Sequence, residues 1–283
     1  MARGTFRPSI ATWRDYINDQ GFPSFPDQNL LAEGDSWFTI SGLPAYNLLF
    51  ELRFRKQTRI VSCALPGDTI KHMSEIVRNP QLRAAMGADG GRWDAILLSA
   101  GGNDLIDAAD EILLPKARRS ANPQGPRDYC DGPLLDNLIK EIQTGYRRIA
   151  DARDAPGAAA RGVPMLTHTY DYATPRNAPA RFFFGHLGPW LFPALKDREV
   201  PSTDWVPVAD YLTDALAEGI LALTSGGNDI PAFHVVDTRH SLTRADRKDR
   251  GDSHDWQNEI HPNGGGYEKL ARRIEPILDG LLP

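Results

Sequence analysis

Ser36 lies in "EGDSWF" at 33–38, where an apolar run gives way to Gly-Asp-Ser. Those residues suit a turn or a helix N-cap, and they equally suit a nucleophile exposed at the end of a strand. A serine that attacks an ester needs a base for its proton and donors placed where the oxyanion forms. At a helix N-terminus, Ser36 would supply its own N–H. Gly67, in the turn of "ALPGDTI" at 64–70, offers a backbone N–H with no side chain in the way. Asn103, in "GGND" at 101–104, offers an amide donor. Seven histidines compete for the role of base. His261 has the best setting, in "NEIHPNGGGY" at 258–267, a glycine-rich loop ahead of the last helix. His168 and His234 fall in apolar runs and read as core or sheet-edge residues. His72, His186, His240 and His254 have no comparable surroundings.

Five apolar runs must position these residues: "NLLAEG" at 29–34, "TRIVSCAL" at 58–65, "WDAILLSAGG" at 93–102, "VPMLTHTY" at 163–170 and "AFHVVDTR" at 232–239. Their near-continuous apolarity predicts strands covered on both faces, as in a parallel sheet. Helical patterns are predicted at 10–19, 134–152, 208–225 and 266–282, with Pro276 expected to kink or break the last. The alternation predicts an α/β fold, doubly wound, in one domain over 1–283, with loop-rich insertions near 115–133 and 171–206. Ligands in such a fold bind beyond the carboxyl ends of the strands, where Ser36, Gly67 and Asn103 all fall. A second "GGND" at 226–229 follows a helix instead of a strand. Gly226 and Gly227 read there as a C-cap and turn, and Asn228 is expected on the far edge.

"EGDSWF", "ALPGDTI", "LLSAGGNDL" and "NEIHPNGGGY", in that order across 33–267, resemble the SGNH branch of the GDSL esterase and lipase family. The resemblance implies a flavodoxin-like three-layer sandwich on a five-stranded parallel sheet. It implies Ser36 as nucleophile, His261 as base, and an oxyanion hole from the Ser36 and Gly67 N–H groups and the Asn103 amide, with no metal or other cofactor. "THTYDYATP" and "GPWL" are similar to a bacterial subset of the family, and make Tyr172 and Trp190 candidates for substrate contact. Phe182, Phe183, Phe184, Trp190 and Phe192 read either as core or as an acyl-binding wall. One position departs from the pattern. The family's aspartate, three residues before the histidine, is Asn258 here. Asn258 itself, Asp255 folded back under the ring, or a main-chain carbonyl could orient His261; Asp252 and Glu259 are also close in sequence.

The chain has 283 residues, 41% hydrophobic and 24% charged, with a net charge of −5, which argues against a nucleic-acid partner. Its start lacks the apolar core of a signal peptide, and no apolar run is long enough to cross a membrane, so a cytoplasmic location is expected. Cys63 and Cys130 define no metal or redox motif. The favoured reading is a metal-independent serine hydrolase acting on a small-molecule or lipid ester. Its rivals are a ligand-binding module on the same scaffold and a metallophosphoesterase, which would need a clustered His and Asp set that the first strand lacks.

Overall fold

The computed structural model describes residues 4–18, 26–39, 46–182, 185–225, 227 and 229–283. Its strands are β1 (Ser9–Thr12), β2 (Gln28–Gly34), β3 (Thr58–Ser62), β4 (Ala95–Ser99), β5 (Met165–His168), β6 (Ala180–Phe182), β7 (Gly185–Leu187) and β8 (Phe233–Val236). Its helices are α1 (Trp13–Ile17), α2 (Leu48–Glu51), α3 (Ile70–Ser74), α4 (Pro80–Met86), α5 (Gly102–Asp107), α6 (Ala109–Ile112), α7 (Gly132–Arg153), α8 (Leu191–Asp197), α9 (Trp205–Leu221) and α10 (Gly264–Leu281).

Six strands form one sheet in the order β1-β3-β2-β4-β5-β8, and every pairing is parallel. The five expected strands alone run 3-2-4-5-8, the flavodoxin-like order, whose switch point lies between β2 and β4. Chain connections leave in opposite directions there and open a crevice above the sheet. Both faces are covered because side chains alternate along each strand. Leu31, Val61, Ile96 and Leu98 pack with residues of α3, α4, α7 and α9. Leu30, Ala32, Ile60 and Leu97 face the other way, onto a layer built from α2 and α10.

The sixth strand corrects the expected helix at 10–19. Ser9–Thr12 pairs with β3, and only Trp13–Ile17 is helical. Thr12 divides the two, because its hydroxyl oxygen accepts the Asp15 N–H at 3.1 Å and so starts the helix there. Pro276 does not break the last helix, since α10 runs through it from Gly264 to Leu281. The proline is exposed, so water can satisfy the carbonyl that its missing N–H leaves over. The 171–206 stretch contains the β6–β7 hairpin and α8. Among the described residues, no helix is long and apolar enough to cross a membrane.

Candidate active site

β2 delivers Ser36 to the crevice through a turn whose neighbours are all pinned. A Cβ on Gly34 would come 2.9 Å from Ser99, so only glycine lets the end of β2 lie this close to β4. The Asp35 N–H donates to the Ser99 carbonyl and the Phe38 N–H to the Asp35 carbonyl, each at 3.0 Å. The buried Asp35 carboxylate accepts the Trp37 N–H (3.0 Å), the Ser99 hydroxyl (2.9 Å) and the Tyr170 hydroxyl. Burial pushes this carboxyl up to about 6, against the opposing pull of those three donors. One residue back, the Glu33 carboxyl takes the Gly34 N–H and the Asn79 amide, both at 3.0 Å, and burial pushes it up to about 8. With the N–H groups of Asp35 and Trp37 both engaged, that of Ser36 has no acceptor among the described residues. The turn leaves one donor free, and it belongs to the residue that carries the hydroxyl. Ser36 is therefore in a turn, where the sequence left open a helix N-cap.

The loops after β3 and β4 meet beside it. Gly67 is exposed, with a φ of +75° that favours glycine. The Asn103 amide donates to the Asp68 carbonyl at 2.9 Å, tying the first turn of α5 to the Gly67 loop. The Ile70 N–H donates to the Asp104 carboxylate at 2.9 Å, a second tie between the same two loops. Gly101 caps α5 at a φ of +102°. The ring of Tyr170 lies on Gly102, where a Cβ would come within 2.8 Å of it. This packing brings the Tyr170 hydroxyl down onto Asp35.

His261 reaches in from the loop between β8 and α10. Its Nε2 lies 2.8 Å from Ser36 Oγ and its Nδ1 lies 2.9 Å from Asn258 Oδ1. The same Asn258 oxygen accepts the backbone N–H groups of Ile260 (3.1 Å) and His261 (2.9 Å). Backbone N–H groups can only donate, so the atom facing them must be the amide oxygen. It follows that His261 Nδ1 carries the proton and Nε2 presents its lone pair to the Ser36 hydroxyl. That is the tautomer a serine nucleophile requires. The ring stands edge-on to Trp190, with centroids 5.3 Å apart. Burial with no charged partner lowers the His261 pKa to about 4.

Glu259, fully buried, holds this loop against the next segment. Its carboxylate accepts the N–H groups of Trp190, Leu191 (3.1 Å), Phe192 (2.8 Å) and Arg176 (3.3 Å), capping the start of α8. Burial raises its pKa to about 7. Arg176 adds a bond from Nη2 to the Asn258 carbonyl at 2.7 Å.

Other expected residues sit elsewhere. Asp255 does not face His261, because its carboxylate takes Lys269 Nζ at 2.6 Å and the Thr243 N–H at 2.5 Å. Burial alone would raise that carboxyl, but these bonds hold it below the usual range. The Tyr172 hydroxyl is committed to Asp214 at 2.6 Å and its ring lies against His240, so Tyr172 is not a wall of the crevice. Tyr170, two residues earlier, takes that place. Phe192 packs on Trp205, 5.3 Å between centroids. The side chains of Phe182, Phe183 and Phe184 lie outside the described residues, as do Gly226 and Asn228 of the second "GGND". His168 is a core residue, stacked on Trp37 at 5.5 Å, and burial lowers its pKa to about 4.

The four segments that carry the resemblance meet at the carboxyl end of one parallel sheet covered by helices on both faces. No family model and no curated protein matches the chain. Solved structures do. An extracellular lipase from Streptomyces rimosus aligns at 13% identity over 90% of this chain and 99% of that one, with a TM-score of 0.46. An aryl esterase from M. smegmatis aligns at 12% over 90% and 100%, with a TM-score of 0.42. Est24, a carbohydrate acetylesterase from Sinorhizobium meliloti, aligns at 12% over 90% and 100%, with a TM-score of 0.41. Identities this low leave the chemistry of this chain to its own residues.

Proposed function

We propose that the chain is a serine hydrolase of the SGNH type that cleaves a carboxylic ester through an acyl-enzyme. The observation that carries this reading is the unbroken path from Asn258 Oδ1 through His261 to Ser36 Oγ, beside a Ser36 N–H with no acceptor. Ser36 Oγ attacks the acyl carbon while its proton passes to His261 Nε2. The carbonyl oxygen gains the charge and accepts from the Ser36 and Gly67 N–H groups and the second Asn103 amide hydrogen. Collapse breaks the bond to the leaving oxygen, which takes the proton from Nε2. A water then repeats the sequence, giving up a proton to His261 and releasing the acid and the free Ser36 hydroxyl. The substrate is a small-molecule or lipid ester.

Asn258 is compatible with this chemistry. In serine proteases, replacing the triad aspartate by asparagine costs about 10⁴ in kcat through the wrong tautomer. The two backbone donors on Asn258 Oδ1 block that failure here. What Asn258 lacks is charge, so it orients the imidazolium without stabilising it electrostatically. The reading as a binding module drew on the missing aspartate, and the fixed amide weakens that ground.

The test is Ser36→Ala. Turnover of p-nitrophenyl butyrate should fall by on the order of 10⁶, to the buffer background. The circular dichroism spectrum and Tm should stay unchanged. A fluorophosphonate probe should label wild-type protein at Ser36 and leave the variant unlabelled. A folded variant with wild-type turnover would remove Ser36 from the chemistry. An unlabelled, inactive wild type would favour the binding module.

A further inference from the structure

We propose that the cavity beside Ser36 is an acyl pocket for short, uncharged chains of about two to four carbons, with Leu216 and Leu105 among its walls. The inference rests on the hydrolase reading above and adds to it the class of acyl group.

Position assigns the cavity to the acyl side. Ser36 and Asn103 line it and neither the His261 nor the Trp190 side chain does, although their neighbours Ile260 and Leu191 form part of its wall. The leaving oxygen must lie within reach of the proton on His261 Nε2, so the alcohol occupies the His261 side. The acyl chain points the other way, into the cavity.

Size sets the chain length. The cavity holds about 60 Å³. A cavity of about 150 Å³ lined by Leu, Ile and Phe takes a benzene ring, or about 25 Å³ per carbon. On that scale this one takes two or three carbons beyond the carbonyl. Its walls have little room to retreat. Leu216 is 2% exposed and packs over Gly101, where a Cβ would come 3.1 Å from its Cδ1. Tyr170 lies on Gly102, and Leu191 belongs to the segment that Glu259 clamps.

Chemistry sets the kind of chain. Besides Ser36 and Asn103, the polar side chains lining the cavity are Asp35, Tyr170, Asp171 and Thr213, all engaged within the protein, and the indole N–H of Trp256, which is buried without a partner among the described residues. The Asp171 carboxylate is filled by four N–H groups, those of Tyr172 (2.7 Å), His240 (3.0 Å), Ser241 (2.7 Å) and Leu242 (2.7 Å). The Thr213 hydroxyl donates to the Ala209 carbonyl at 3.0 Å. An acyl group that carries its own carboxylate would meet Asp35 and Asp171 and no cation, and would lose its hydration. A plain hydrocarbon loses nothing of the kind.

The experiment uses the full chain and two ester series. One varies the acyl group of p-nitrophenyl esters from acetate to laurate; the other varies the alcohol of a fixed butyrate. The expected kcat/KM peaks between acetate and butyrate and falls at least tenfold by octanoate, while alcohol length changes it less than threefold. Ala173→Val, which narrows a half-buried wall, should move the optimum towards acetate. Leu216→Ala should move it towards longer chains. If Leu216→Ala does not fold, the wild-type profile and Ala173→Val still decide. An optimum at octanoate or beyond, or a profile governed by the alcohol, overturns the acyl pocket and leaves the hydrolase reading intact. No turnover of any ester in either series would instead sink the hydrolase reading, and this inference with it.

Discussion

Asp35 beneath Ser36 and Asn258 beside His261 do parallel jobs with different chemistry. Each is a short polar side chain that collects three donors and fixes a turn; the donors are shared between both carboxyl oxygens at Asp35 and gathered on the one amide oxygen at Asn258. On the nucleophile side the acceptor is a carboxyl group, buried and joined nearby by Glu33 and Asp104. On the base side it is an uncharged amide. Orientation and charge are thus separable duties. This site uses burial and backbone donors for orientation on both sides, and places no negative charge against the imidazole.

The comparison breaks most sharply at Asn258. Asn258→Ala removes the acceptor for His261 Nδ1 and should lower kcat by on the order of 10³, less than the roughly 10⁴ lost with a charged triad aspartate because no charge is removed. Steady-state kinetics on a short-chain ester measures it. Asp255→Asn in parallel should stay within a few fold of wild type, because that carboxylate faces Lys269. Exchange of the two results would show that the ring is steadied by Asp255. The nucleophile side should respond chiefly in stability. Tyr170→Phe leaves a buried carboxylate oxygen short of a donor and should cost about 1–3 kcal/mol in denaturant unfolding. A change below about 0.5 kcal/mol would mean that Asp35 does not need its third donor.

The smallest effect sharpens the comparison most. Asn258→Asp adds the missing charge and favours the imidazolium, so the His261 pKa should rise from its value of about 4. Histidine must be neutral to accept the Ser36 proton. The acid limb of kcat/KM should therefore move to higher pH, with the variant losing more at pH 5 than at pH 8. An unmoved limb would place residue 258 away from the ring.

Much of this was legible in the sequence because the legible parts are local. Ser36, Gly67, Asn103 and His261 each sit at the end of a strong apolar run or in a glycine-rich loop, and strand ends are where such a fold binds ligands. β1 was hidden because Ile10, Trp13 and Ile17 keep a helical spacing, and only the Thr12 cap cuts the pattern. The supporting acids were hidden for another reason. Nothing near Glu259 in sequence reveals that four N–H groups from 176 and 190–192 will converge on it. Tyr170 and Tyr172 share one extended segment, and sequence alone could not choose between them. The packing of the Tyr170 ring on Gly102 makes the choice.

The Glu259 clamp also bears on how proton uptake is linked to folding. Its folded pKa of about 7 exceeds its ordinary 4.5, and Glu33 at about 8 does the same. An acid raised in this way contributes stability that is full below its unfolded value and lost as pH climbs through the folded one. Asp35 and Asp104, both near 6, add to the trend at lower pH. His261 and His168, lowered from 6.5 to about 4, oppose it, since their contribution is lost as pH falls from 6.5 towards 4. Above pH 6.5 the histidines are silent, and Glu33 and Glu259 still titrate. Thermal melts should therefore give a lower Tm at pH 8.5 than at pH 6.5, and Glu259→Gln should flatten that slope. A Tm that rises across this window would show that these acids are already ionised in the folded chain. The chain would then be a protein that tightens as pH falls through this window, while His261, its pKa lowered to about 4, keeps its Nε2 lone pair turned to Ser36.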